Sequence, residues 1–119
     1  MGTWGYKEMD SDDAQDQVHE ELLRVKNRLS KILRLKNKEY ERMGVAALVK
    51  SMKSAFVLNI HVSGEDYIDL VSEAVSSLQR MLENDSYISS WENSNKARAS
   101  IRRQMRGLEK AKEDVLKMM

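Results

Sequence analysis

No proline occurs anywhere in the 119 residues of this chain. Proline breaks helix interiors and punctuates loops, so a chain without it can carry long, uninterrupted helices. Only five glycines are present, which keeps other breaks scarce. The length corresponds to one domain, with enough core to hold together without cross-links. Residues 1–119 therefore read as a single all-α domain, a bundle of about four helices, with residues 1–9 as an irregular N-terminal arm.

Apolar spacing places the helices. Asp10 or Ser11 offers an N-cap, and Asp12, Asp13 and Asp16 in the first turns favour the positive end of the helix dipole. Val18, Leu22, Val25, Leu29 and Ile32 then repeat at 4-3-4-3, a seam of about two heptads that ends at Lys36. Leu23, Leu33 and Leu35 widen that face, which suits a bundle helix better than an extended coiled coil.

A second helix is expected from about Glu39 to Leu58, with Val45, Leu48, Val49, Met52, Ala55, Phe56 and Ile60 on one face. Phe56, Leu58, Ile60 and Val62 also alternate like a short strand, although one strand would lack a partner. A helix followed by a turn is the preferred reading. Ser63-Gly64-Glu65-Asp66 resembles a capping box opening a third helix, with Tyr67, Val71, Ala74, Val75, Leu78 and Leu82 inward. Asn84 is read as its left-handed cap.

A short helical turn is expected over 86–91. A last helix then starts near Asn95, with Ile101, Met105, Leu108, Val115 and Met119 as its seam and Lys112 interrupting it. Gly107 inside that helix costs about 1 kcal/mol against alanine, so it marks a close approach. The two seams, Val18–Ile32 and Ile101–Met119, close either a monomeric bundle or a homodimer.

Charge alternates in blocks although the net charge is only +1. Residues 1–23 carry −6, residues 24–60 +8, residues 61–95 −6 and residues 96–119 +5. Helices of alternating sign are expected to pack antiparallel with their edges paired, each exposed pair adding only about 0.2–1 kcal/mol. A near-zero net charge also argues against a global attraction to nucleic acid.

Composition limits the chemistry. Without cysteine there are no disulfides or thiolate metal sites, which fits a reducing, cytoplasmic setting. No apolar run approaches the roughly 20 residues that span a bilayer, and the N-terminus has no signal-peptide pattern. Tyr6 stands where a myristoylation motif wants Ser or Thr. Asp10, Asp12, Asp16 and Glu21 fall at calcium-loop spacing, but Ala14 and Gln15 occupy a ligand position and the glycine turn. His19 and His61 read as isolated surface histidines. No serine sits in a nucleophile elbow and no glycine-rich phosphate loop occurs. The expectation is a non-enzyme without metal or cofactor.

Binding candidates remain. Arg98, Arg102, Arg103 and Arg106, with Lys96 and Lys110, populate the polar side of the last helix and form part of a phosphate-contacting row. The plain alternative is a solvated face paired with the acidic blocks. No helix-turn-helix spacing or stacking aromatics accompany the arginines in sequence. Trp4, Tyr6 and Trp91 lie outside the periodic stripes and either form a binding patch or plug the bundle ends. Eight methionines suit adaptable packing or a promiscuous interface.

The opening Met1-Gly2-Thr3-Trp4-Gly5-Tyr6, followed by Asp10-Ser11-Asp12-Asp13-Ala14-Gln15-Asp16, resembles the family called domain of unknown function 4259. Those small bacterial and phage proteins open M-G-T-W-G and then carry F-D-N-D-x-A-x-D before the first helix. Met9 and Ser11 replace the phenylalanine and asparagine here, and Lys7 replaces a glycine. Asp85-Ser86-Tyr87-Ile88-Ser89-Ser90-Trp91-Glu92 is similar to its D-S-E-L-x-x-L-W-E segment, and Arg106-Gly107-Leu108 resembles its closing L-R-x-x-L. The resemblance implies a helical fold, no established activity, and a shared role for Trp4 and Asp10–Asp16 in docking the arm and capping the first helix. It also implies that a phage protein directed at a host protein is plausible by analogy. The leading expectation is a protein–protein interaction module using a helix face and the Trp4/Tyr6 arm. A nucleic-acid-binding protein using the last helix is the alternative.

Overall fold

The computed structural model describes residues 12–36 and 38–119. Every regular element among them is helical: α1 (Asp12–Leu33), α2 (Glu39–Ser51), a one-turn α3 (Lys53–Phe56), a 3-10 turn (Val57–Asn59), α4 (Ile60–Leu82), a short α5 (Asp85–Ser89) and α6 (Ser94–Met118). The fold is an all-α bundle in which α1, α2, α4 and α6 do the packing. The N-cap expected at Asp10 or Ser11, together with Trp4 and Tyr6, lies outside the described residues. No single helix among those described is long and apolar enough to cross a membrane.

Helix α4 is the axis of the bundle and packs against α1, α2 and α6. Its Tyr67, Leu70, Val71, Ala74, Leu78 and Met81 are buried, meeting Leu33 of α1, Val49 of α2 and Ile101, Leu108 and Val115 of α6 in one core. Each large apolar side chain taken from water there contributes roughly 1.5–3 kcal/mol.

Polar contacts fix the directions. From α1 to α4 the pairs are His19 with Ser63, Lys26 with Asp66 and Asp69, and Arg34 with Glu73. Residue numbers rise together, so these two helices run parallel. The alternating charge blocks do pair here, but in parallel rather than in the expected antiparallel sense. Helix α2 runs down between them, its Arg42 on Ser77 and its Val49 carbonyl on Tyr67. Helix α6 is antiparallel to α4, with Lys112 on Ser72 and Met119 beside Gly64.

Several boundaries differ from the sequence reading. Residues 56–62 are helical, a 3-10 turn feeding straight into α4. Ser63 caps nothing, because α4 already begins at Ile60, and Ser63 is fully buried against α1 instead. Asn84 is not left-handed: at φ −92° it opens α5, its side chain accepting from the Tyr87 N–H. The last helix starts one residue early, its N-cap Asn93 accepting from Lys96 N–H. On α2 the buried stripe is Arg42, Ala46 and Val49, while Leu48 is 48% exposed. On α6 Ala111 replaces Lys112 in the core, as the drift of a 3.6-residue helix against a heptad requires. Helix α1 spans Asp12 to Leu33 without a break, which leaves no calcium loop over 12–21.

Candidate functional site

Several basic side chains in the body of the bundle have structural partners. Lys26 sits between Asp66 (3.1 Å) and Asp69 (3.3 Å). Its pKa rises: burial is the largest influence and acts downward, but the hydrogen bonds and charges of Asp66 and Asp69 outweigh it. Arg34 pairs with Glu73, and Lys53 bonds Asp114 at 3.1 Å, holding that carboxyl below its ordinary range. Arg80 donates to the Leu33 carbonyl at 2.7 Å and so closes the C-terminus of α1. Arg42 is 5% exposed and donates 2.7 Å hydrogen bonds to both Oγ and the carbonyl of Ser77. Burial, then the like charge of Arg80, pulls its pKa down.

The upper half of α6 is different. Arg98 is half-buried, and Arg102, Arg103 and Arg106 are exposed. None of their guanidinium groups makes a hydrogen bond or ion pair among the described residues. Residues 94–108 contain five cations and no Asp or Glu, and no described acid of a neighbouring helix reaches these arginines. The expected pairing of this face with the acidic blocks does not occur. Residues 24–38 are equally free of acids; there Arg24, Lys26 and Arg34 are engaged in ion pairs, while Arg28, Lys31, Lys36 and Lys38 are not, among the described residues.

Helix α2 lies beside this basic face and runs the same way, since Met43 meets Gln104 and Lys53 meets Asp114. Tyr40, Met43, Ala47 and Lys50 form one row on α2, and Lys96, Ser100, Arg103, Gly107 and Lys110 one row on α6, both at i, i+3/i+4 steps. Ala46, Ala47, Lys50, Ser51, Arg103 and Gln104 line a groove of about 320 Å³ between the rows. Gly107 is a close approach, as expected, but of a side chain rather than of a helix. A Cβ there would stand 3.0 Å from Lys50 Nζ and 3.2 Å from Lys50 Cε. Lys50 thus lies across α6 and brings its ammonium to the groove that Arg103 lines, without meeting an acid among the described residues.

Three aromatics close the upper end. The Tyr40 and Tyr87 rings meet edge-on at 6.0 Å, Tyr87 and Trp91 at 6.1 Å, and Tyr40 and Trp91 tilt together at 6.4 Å. Tyr87 is buried, which raises its pKa, and its hydroxyl lies 2.9 Å from Met43 Sδ. Trp91 packs partly against the core, and Tyr40 is 71% exposed. Trp91, Glu92, Asn93 and Lys96 line a hollow leading from this cluster to the start of α6. Sequence inspection placed no aromatic near the arginines. The fold does, because Tyr40 precedes α6 by more than fifty positions and arrives on a different helix. Its signal in sequence was a tyrosine one turn from Met43 on the row that ends at Lys50.

Other groups carry less. His19 is not isolated: its Nδ1 lies 3.3 Å from Ser63 Oγ and 3.9 Å from Asp66. A hydrolytic relay needs the two imidazole nitrogens to face different partners, whereas both contacts here converge on Nδ1, and Ser63 is fully buried. No group of three or more His, Asp or Glu among the described residues is placed to hold a metal. An apolar notch of about 440 Å³, lined by Ile32, Leu35, Val45 and Leu48 around Gly44, opens where α1 ends beside α2.

Comparison with protein-family models, with curated proteins and with solved structures returns no match.

Proposed function

We propose that this chain is a non-enzymatic nucleic-acid-binding protein whose working surface is α6, with Lys50 of α2 beside it. The observation that carries this reading is the absence, among the described residues, of any partner for Arg98, Arg102, Arg103 and Arg106, whereas four of the other five arginines, Arg24, Arg34, Arg42 and Arg80, are engaged. Unpaired guanidinium groups at one-turn spacing suit phosphate oxygens, which they meet with charge and paired N–H donors together. The net charge of +1 is no obstacle, because phosphate senses the local face within about 8–10 Å at physiological salt.

The test is titration of a labelled oligonucleotide at low and at moderate salt. Binding falls steeply with salt, and replacing Arg102 and Arg106 by Glu weakens it and lowers the salt slope by about one for each phosphate no longer neutralised. Failure to bind DNA or RNA even at low salt sinks the reading.

A protein partner is the second reading, supported by the notch between α1 and α2, where Leu35 and Leu48 are each nearly half exposed. An affinity pull-down that yields one stoichiometric protein with the wild type, but not with Leu48→Glu, favours it. Under either reading Trp4 and Tyr6, outside the described residues, remain proposed contacts of the arm, and a phage protein that modulates a host factor stays a proposal by resemblance.

A further inference from the structure

The aromatic cluster at the upper end of the α2 and α6 rows narrows the kind of nucleic acid that fits. A duplex keeps its bases stacked inside, so an arginine face on one helix would satisfy it without help from an exposed ring. Here the ring is present and held. Tyr40 is 71% exposed, while Tyr87 meets it edge-on at 6.0 Å and Trp91 braces it at 6.4 Å. A tyrosine pre-positioned by two neighbours loses little further freedom when a flat ligand lies on it.

From Tyr40 the two rows run side by side to Lys50. Ten residues of helix cover about 15 Å, the length of roughly four stacked nucleotides at 3.4 Å each. Cations line this path at Lys96, Arg103 and Lys50, with Gln104 and Ser51 as polar groups along it. The small side chains of Ala46 and Ala47 leave the groove open. Glu92 shares the upper hollow with Trp91 and Lys96 and repels phosphate there. Bases belong at the aromatic end and the backbone belongs further down. An aromatic platform opening onto a charged track is how unpaired strands are held without sequence preference.

Resting on the phosphate-binding reading above, we infer that the ligand is single-stranded nucleic acid, with one base stacked on Tyr40 and its backbone tracking the groove between α2 and α6.

Three labelled ligands of equal length test this by fluorescence anisotropy at low salt: oligothymidylate, a duplex, and an abasic strand. Oligothymidylate should bind at least about fivefold more tightly than the abasic strand, which has no base to stack. Tyr40→Ala should erase that difference while leaving duplex and abasic binding unchanged, and Tyr40→Phe should keep it. Unchanged far-UV circular dichroism of both variants shows that the bundle is intact. If the strand and its abasic form bind equally, or if Tyr40→Ala has no effect while the Arg102/Arg106 double variant still weakens binding, the stacking inference is overturned and the phosphate reading stands. If none of the three ligands binds at low salt, both fall.

Discussion

The Tyr67 hydroxyl of α4 donates a 2.9 Å hydrogen bond to the Val49 carbonyl in the last turn of α2. The ring itself is fully buried and leans on Phe56 at 5.2 Å. One residue thus ties the end of the short helix to the axis of the bundle. It adds a second donor to a carbonyl that already accepts from the Met52 N–H at 3.2 Å. Burial pushes its phenol up to about 12.

Tyr67→Phe should cost about 1 kcal/mol at neutral pH, the net worth of one buried hydrogen bond. Its alkaline behaviour separates that loss from general damage. Between pH 10 and about 12 the unfolded phenol ionises and the folded one does not, so wild-type stability falls across that window. Lys26, whose pKa is also raised, acts in the same sense: its contribution is complete below 10.5 and is lost as pH climbs through the folded value. Urea titrations at pH 7 and pH 11 should therefore show the wild type losing more than Tyr67→Phe.

Arg42→Met should destabilise the bundle by roughly 2–3 kcal/mol, since two charge-assisted hydrogen bonds disappear inside the core. Ser77→Ala removes only the Oγ contact and leaves the 2.7 Å bond to the Ser77 carbonyl, so it should cost less. Urea midpoints of the two variants, measured together, check the order.

Asp66 is 20% exposed and Asp69 66% exposed, although both reach Lys26. Asp66→Asn should lower stability by about 1 kcal/mol and Asp69→Asn by no more than a few tenths, because solvent screens the outer carboxylate. Added salt should shrink the second effect first. Thermal melts at two salt concentrations decide it.

Gly107→Ala should raise the melting temperature. Alanine gains up to about 1 kcal/mol of helix propensity, and the atoms its Cβ meets are the far end of the flexible Lys50 side chain. Gly64→Ala should gain nothing or lose stability, because its Cβ would stand 3.1 Å from both Ile60 Cγ1 and Met119 Sδ within the packed body. Calorimetry of the pair checks the contrast.

What was legible in sequence follows from periodicity. The bundle, the short turn over 86–91 and the last helix were set by apolar spacing and by Asn93–Asn95, because those signals are local. The strand-like alternation over 56–62 was set aside for a helix and turn, and Phe56 does pack inward from the one-turn α3. Ser63 misled: a serine followed by acids looks like a cap, but Asp66 meets Lys26 across the bundle instead. The arginines of α6 were legible as a cluster. Their lack of partners was not, because pairing is decided between helices. Tyr40 stayed invisible for the same reason.

The parallel arrangement of α1 and α4 has a consequence for biosynthesis. The carboxylates that meet Lys26 and Arg34 lie 40, 43 and 39 positions further along the chain. As the polypeptide leaves the ribosome, the first helix is exposed with its apolar stripe and charges unmatched until α4 has followed. Docking of α1 onto α4 is therefore a late event in the order of assembly, and until then α1 has only α2 to pack against.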